Sequence, residues 1–290
     1  MEKSRSPDWD HTTLDAAIAL MGGMHGVDIS VYDDSFLMKS LEKRRRATDC
    51  GSIAAYLHRL AVDAMEQEAF YASLQVTYSE FFRNPMAFAL LEQLLLPTLV
   101  EAKARTGQGE IRIWSAACAA GQEVWSVAIL LDALSAAWER TVPFRIFATD
   151  LSERNLALAR AGVYSAAAVG NVRLRHLDGW FTRQGEYYAI IPRLKEWVEF
   201  SVYDLLNAET SCPPGSIFGD FDLILCSNVL LYYRPETQRF ILDKMRRCLS
   251  PAGYLVTDES ERQIVERTGD FRAVAPPAAV FRRVSNTKRG

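Results

Sequence analysis

Ile111-Arg-Ile-Trp-Ser-Ala-Ala-Cys-Ala-Ala-Gly121-Gln-Glu-Val-Trp-Ser-Val-Ala-Ile-Leu-Leu131 is the stretch whose reading decides the fold. Ile111 to Trp114 reads as a short strand, small residues run around Gly121, and an apolar-periodic helix follows from about Val124. Strand, small-residue turn and helix form the first unit of a nucleotide-type site. A ligand can approach the backbone closely there, and the helix start offers unpaired N–H groups. The loop lacks the three-glycine spacing of a dinucleotide fingerprint, so taken alone it does not name its ligand.

Downstream, strands and helices alternate. Phe144 to Asp150 is a strand ending in an acid, followed by a helix from about Glu153 to Ala161. Val198 to Tyr203 leads to Asp204. Phe221 to Cys226 is a nearly continuous apolar strand, as expected when both sheet faces are covered, and it runs into Ser227-Asn228. A helix from about Glu236 to Leu249, a turn at Ser250 to Gly253 and a strand from Tyr254 to Thr257 continue the alternation. Phe271 to Ala275 and Val280 to Val284 could close it as an antiparallel pair. This order predicts a doubly wound α/β sheet of Rossmann-like type. Trp180 to Ile191 breaks the alternation and reads as a small inserted β hairpin around Gln184-Gly185, at about 178–192.

Upstream, no strand pattern intervenes between Thr13 and Leu74. Leu14, Ile18 and Met21 keep helical spacing up to a stop offered by Gly22-Gly23, and three further helices follow. A small all-helical N-terminal domain is therefore expected over 10–75, then a linker and connecting helix over 76–109 that contributes to the site. The sheet domain is expected over 110–286. Lys43 to Arg46 is a basic run at a helix end: a solvated terminus, or a docking face for an acidic partner.

The 290 residues are 49% hydrophobic and 24% charged, with a net charge of -3, which describes a globular chain and argues against a nucleic-acid binder. No apolar run reaches bilayer length and Met1 to Pro7 lacks a signal peptide's apolar core, so a cytoplasmic protein without membrane insertion is expected. Five scattered cysteines suit reduced thiols rather than a disulfide framework, and four scattered histidines give no metal site.

Ligands of such sheets bind beyond the carboxyl ends of the strands. That edge collects Gly121, Glu123, Asp150, Asp204, Ser227 and Asn228. Asp150 can accept from ribose hydroxyls or cap the next helix, and Glu123 can hold an ammonium group or complement the helix dipole. A pyrophosphate on the helix start would be repelled by Glu123. S-adenosylmethionine carries an amino acid end and a sulfonium cation, and acids at the strand ends suit it better.

Five ordered segments make the sequence recognisable: Tyr78 to Pro85, Ile113 to Glu123, Ile146 to Leu151, Phe221 to Tyr233, and Gly253-Tyr-Leu to Ser260-Glu261. Over roughly residues 13 to 284 the chain resembles the CheR family of chemoreceptor methyltransferases. The resemblance implies a monomeric S-adenosylmethionine-dependent enzyme that forms glutamate methyl esters on chemoreceptor cytoplasmic regions and releases S-adenosylhomocysteine. It implies cofactor contacts at Thr77, Ser79, Arg83, Ala117, Gly121, Glu123, Asp150, Asp204, Leu205, Ser227 and Asn228. Arg83 and Tyr232 match the pair that the family places beside the reacting centre; an ion pair and core packing are their plainer roles. Thr77 and Asp204 stand where the family has asparagine, Ser227 where it has arginine, and Gly121-Gln-Glu-Val124 where it has Gly-Glu-Glu-Pro. Loss of the arginine at 227 predicts altered substrate preference or weak activity before loss of cofactor binding. The alternatives are a methyltransferase of this fold with another acceptor, or a cofactor-binding regulator without transfer activity.

Overall fold

The computed structural model describes residues 11–25, 27–75, 78–107, 109–216 and 219–284. They form two compact units, 1–76 with 231–237, and 77–230 with 238–290.

The first unit is helical: α1 (His11–His25), α2 (Asp34–Ala47), α3 (Ile53–Val62) and α4 (Ala64–Leu74). Polar side chains start three of them. Asp33 accepts from Ser35 N and Phe36 N, Ser52 from Ala55 N and Asp63 from Glu66 N, pairing amides the first turn leaves open. The stop expected at Gly22-Gly23 does not occur, and α1 continues to His25. Both glycines are exposed with open space around them, so they weaken the helix by about 1 kcal/mol each without breaking it. Leu14, Met21, Leu37, Leu41, Leu60 and Phe70 form the buried core. The segment 231–237 completes it: Tyr233 stacks on Tyr32 at 5.0 Å, Tyr232 packs on Phe36 at 4.8 Å, and Asp33 N donates to Tyr232 O at 2.9 Å.

The basic run closes α2, and three of its four cations bind carboxylates inside the unit. Arg44 grips the buried Glu66 through Nε at 2.9 Å and Nη2 at 2.6 Å. Arg45 binds Glu42 and the Cys50 carbonyl. The Arg45 hydrogen bond, with Arg46 beside it, holds the Glu42 carboxyl down at about 2. Arg46 also binds Glu42, through Nε at 2.7 Å, but it stays exposed, as does Lys43.

The second unit opens with α5 (Pro85–Leu90), a π-helical turn at Leu91–Leu95 and α6 (Leu96–Thr106). Pro97 has no N–H to return to the Gln93 carbonyl, which is a physical reason for the widened turn there. The expectation that no segment reaches bilayer length needs correction. Pro85–Arg105, 21 residues, is long and apolar enough, because Glu92 and Glu101 interrupt the run without lowering its average much. Core helices of globular proteins pass the same test. Here Phe88, Leu91, Leu95, Leu96 and Leu99 pack into the core, and Glu92 binds Arg173 and Arg175.

Then come β1 (Ile111–Ala116), α7 (Gln122–Ala137), β2 (Phe144–Asp150), α8 (Glu153–Ala161), β3 (Val163–Ser165), α9 (Leu174–Trp180), β4 (Phe181–Gln184), β5 (Tyr187–Ile190), α10 (Pro192–Lys195) and β6 (Val198–Val202). The unit ends with β7 (Phe221–Leu225), α11 (Pro235–Cys248), β8 (Leu249–Val256), α12 (Arg262–Arg267), β9 (Phe271–Ala273) and β10 (Val280–Arg283). The main sheet has the order β6-β2-β1-β7-β8-β10-β9. Its first five strands are parallel, and β10 pairs antiparallel with β8 and β9. This is the Rossmann-like architecture the alternation predicts. β8 starts at Leu249 rather than Tyr254, with a register irregularity opposite Phe221. The hairpin β4–β5 gains a third strand, β3, which periodicity misses because three residues carry no pattern.

Candidate functional site

Because the five parallel strands point one way, their carboxyl ends lie along one edge in the order Asp204, Asp150, Ala117 to Gly121, Ser227-Asn228 and Thr257-Asp258. A cleft partly open to solvent lies over the β1, β7 and β8 ends.

Its outer wall is the loop before α5. Phe81 is fully buried, edge-on to Tyr164 at 4.9 Å and Phe181 at 5.5 Å. Phe82 packs against Phe88 and His176, and its N–H donates to Ser126 Oγ at 3.1 Å on α7. The paired aromatics are thus anchors, which leaves Ser79, Glu80 and Arg83 on the cleft. The Arg83 guanidinium lies 5.2 Å from the Tyr78 ring centre. Asn84 caps α5 by accepting from Ala87 N at 3.1 Å.

The β1 loop forms the floor. Ala117, Ala119 and Gly121 have left-handed backbones, with φ of 55°, 48° and 87°. Only short side chains suit such a run. Hydrogen bonds hold it: Cys118 N donates to Thr149 O at 2.8 Å, Ala119 N to Asp150 Oδ2 at 2.9 Å, and Tyr164 OH to Ala120 O at 2.7 Å. Gly121 permits a close packing contact. A Cβ there would meet Ala159 Cβ at 2.8 Å, so the glycine lets α8 press against the start of α7.

Asp150 is buried. Its Oδ1 accepts from Ser152 N at 2.9 Å and Asn155 Nδ2 at 3.1 Å, and Oδ2 from Ala119 N. Three of roughly four acceptor sites on the carboxylate are occupied, which leaves room for one further donor. Ser152, not Asp150, caps α8.

Glu123 projects from the first turn of α7 to the cleft floor and accepts from Ser115 Oγ at 3.1 Å. Desolvation raises its carboxyl to about 7; the Ser227 and Ser115 hydroxyls pull the other way, Glu261 adds repulsion, and Arg83 offsets little. Ser227 thus offers Glu123 a hydroxyl rather than a cation.

Asn228 has a left-handed backbone at φ 61°, which asparagine tolerates. The fully buried Glu261 holds that loop: Oε2 accepts from Asn228 N at 2.9 Å, and Oε1 from Val229 N and Leu230 N at 2.7 Å each. It also closes a capping box with Asp258. That box is visible in sequence spacing, but the three amides it captures more than thirty residues away are not.

Ser79, Arg83, Ala117, Glu123, Ser227 and Asn228 therefore share one cleft. Gly121 is not among the residues that line it. Asp150, Asp204 and Leu205 lie further along the same edge, where Tyr203 N donates to Asp150 O and Asp204 turns the chain by accepting from Leu206 N. Tyr232 belongs to the first unit, on Phe36. Thr77 lies outside the described residues. Tyr78, Asn84, Phe88, Cys118 and Asp258 line the cleft and were not singled out as site residues.

The donor set fits S-adenosylmethionine. A part-buried carboxylate with no salt bridge among the described residues matches an ammonium group, a carboxylate with a spare acceptor site matches a ribose hydroxyl, and an arginine on the cleft matches a carboxylate. Comparison with known proteins agrees. Residues 77–280 match the family described as "CheR methyltransferase, SAM binding domain", and 14–74 match "CheR methyltransferase, all-alpha domain". The chain is 36% identical to chemotaxis protein methyltransferase 1 of Pseudomonas aeruginosa over 62% of this chain and 64% of that protein. It is 31% identical to the chemotaxis protein methyltransferase of Salmonella typhimurium over 81% of this chain and 78% of that one. A 104.1 kDa protein of Rhodobacter capsulatus matches at 30% over 89% of this chain, which spans only 26% of that longer protein.

Proposed function

The chain belongs to the CheR methyltransferase family, with S-adenosylmethionine as cofactor, and on that premise we propose that it forms methyl esters on glutamate side chains of chemoreceptor cytoplasmic regions in the cytoplasm. When bound, S-adenosylmethionine supplies an electrophilic methyl group on a sulfonium cation. Glu123 holds the ammonium of the amino acid end, and its carboxyl on the cleft lining, bonded to the Ser115 hydroxyl and without a salt bridge among the described residues, is the observation that carries the reading. Asp150 accepts from a ribose hydroxyl. Ala117, Ser79 and Asn228 line the amino acid end, and Asp204 with Leu205 the adenosine end.

A glutamate acceptor is ionised at neutral pH and needs no general base. The chain's work is to strip water from that carboxylate and align it. Arg83 orients it by a charge-assisted hydrogen bond. Lys43 and Arg46, the exposed cations of the basic run, offer charge to an acidic receptor surface, although Arg46 also pairs with Glu42; Arg44 and Arg45 are less exposed and are committed within the unit.

Incubating the chain with labelled cofactor and a receptor cytoplasmic fragment tests this. Base-labile label on receptor glutamates is expected. Label in another molecule, or cofactor binding without transfer, would replace it with the alternative acceptor or the regulatory reading. Arg83→Ala should bind cofactor and lose most transfer; transfer at the wild-type rate would remove Arg83 from the mechanism. Tyr232→Phe tests in the same assay whether that hydroxyl contributes a hydrogen bond.

A further inference from the structure

Behind the Asp204-Leu205 turn, two of the five cysteines meet. Cys212 Sγ and Cys248 Sγ are 3.2 Å apart although 36 residues separate them in sequence. Cys248 ends α11 and is buried, whereas Cys212 is half-buried on the connection after β6. Gly219 makes room for the pair: with φ 64°, a Cβ there would fall 2.9 Å from Cys212 Sγ.

The surroundings are cationic. Arg112 reaches this connection through Ser216 Oγ at 2.8 Å and the Gly219 carbonyl at 3.4 Å. Lys244 donates to Asn207 O at 2.5 Å and to Tyr203 OH at 3.1 Å. The Cys248 thiol has one proton to give, either to Cys212 or to the Ser211 carbonyl at 2.9 Å. Its hydrogen bond to Cys212, with Arg112 and Lys244 nearby, brings Cys212 down to about 7 against the effect of burial. The same hydrogen bond and burial push Cys248 up. Cys118 and Cys226 are buried, and burial raises both thiols well above their ordinary value.

We propose that Cys212 and Cys248 are a redox-sensitive pair that a hydroperoxide converts to a reversible disulfide, fastening the 203–216 connection to the end of α11. The Cys212 thiolate attacks a peroxide oxygen: the S–O bond forms, the O–O bond breaks, and the departing hydroxide (or alkoxide) is protonated. The Cys248 sulfur then attacks the sulfenic sulfur of Cys212. The S–S bond forms, the S–O bond breaks, and the leaving hydroxide takes the Cys248 proton as water. The two thiols together lose two electrons and the hydroperoxide gains them. A reducing thiol reverses the step by exchange, and this transient use of cysteine is compatible with a reducing compartment. The pairing is independent of the methyl acceptor.

The test uses the full chain. Iodoacetamide at pH 7 should label Cys212 about tenfold faster than any other cysteine, following its larger thiolate fraction. After stoichiometric hydrogen peroxide, intact mass should fall by two hydrogens, peptide mapping should recover Cys212 joined to Cys248, and dithiothreitol should restore both thiols. Cys248→Ser should stop at a sulfenic acid on Cys212 that dimedone traps, and Cys212→Ser should give no cross-link. Recovery of Cys212 and Cys248 unlinked, whether free or oxidised beyond sulfenic acid, or peroxide reacting first at another cysteine, would overturn the proposal.

Discussion

Glu66 in the helical unit is buried and Glu123 in the sheet unit is part-buried, and these two carboxyls are displaced in opposite directions. Burial pushes Glu66 up, but two Arg44 nitrogens and the Tyr56 hydroxyl at 2.8 Å more than reverse it, and the carboxyl sits below its ordinary value. Burial also dominates at Glu123, where two serine hydroxyls and the more distant Arg83 do not outweigh it, and the carboxyl rises to about 7. A charge balanced by its own fold is structural. A charge left unbalanced at the floor of a cleft is set up for a ligand that brings the missing cation.

The largest expected effect tests the structural half. Glu66→Gln strands Arg44 without its bidentate partner and should cost about 3 kcal/mol, read as a lower urea midpoint. Cofactor affinity of the folded fraction should stay unchanged, and unaltered stability would show that the pair contributes nothing.

Glu123→Gln should do the reverse. Losing a charged hydrogen-bond partner of the cofactor ammonium, about 1.5–3 kcal/mol, should weaken cofactor binding by calorimetry about tenfold to a hundredfold. Stability without cofactor at pH 8 should be equal or higher, since a desolvated charge has gone. A destabilised variant with normal affinity would make Glu123 a structural residue like Glu66.

The pH dependence sharpens the contrast further. A folded-state value raised from 4.5 to about 7 means that the folded chain holds the Glu123 proton more tightly than the unfolded chain. That stabilisation is fully present below pH 4.5 and is lost as pH rises through about 7. Cofactor affinity runs the other way, because the ammonium requires the ionised form. It should rise up to about tenfold per pH unit below 7, level off above, and be accompanied by proton release. Glu123→Gln should flatten this profile, whereas an unchanged slope would place the titration elsewhere.

The smallest effect separates docking from folding within the basic run. Arg46→Ala removes a cation with 74% of its side chain exposed and should shift stability by no more than about 0.5 kcal/mol. A measurable loss of affinity for a receptor fragment at low salt, recovered by no change in melting, would assign Arg46 to docking; equal affinity would leave it a solvated helix end.

Much of this was legible along the chain because the signals are local. Alternating apolar runs predict the parallel sheet, a glycine among alanines predicts the β1 turn, and an acid two residues beyond it places Glu123 at the ligand edge. The segment from Tyr78 to Pro85 was visible as one of the five ordered motifs, and the packing of Phe81 and Phe82 explains it as an anchored wall that leaves Arg83 on the cleft. Spacing could not show that Gly121 answers to Ala159, that Glu261 fixes the Asn228 turn, or that Arg44 belongs to Glu66. Those partners lie from about twenty to forty residues apart, beyond any helical or strand period.

What the sequence determined by itself was the kind of chemistry: which elements form, which edge they present, and an acid-lined strand-end site suited to a cationic cofactor. The tertiary structure alone decided which carboxylates are already satisfied. Asp150 spends most of its acceptors on Ala119, Ser152 and Asn155, Glu66 is neutralised by Arg44, and Glu123 keeps its charge unanswered. Residue type fixes a group's intrinsic affinity for protons and cations, but its solvent and its neighbours, which only folding brings together, fix whether that affinity is free to be used.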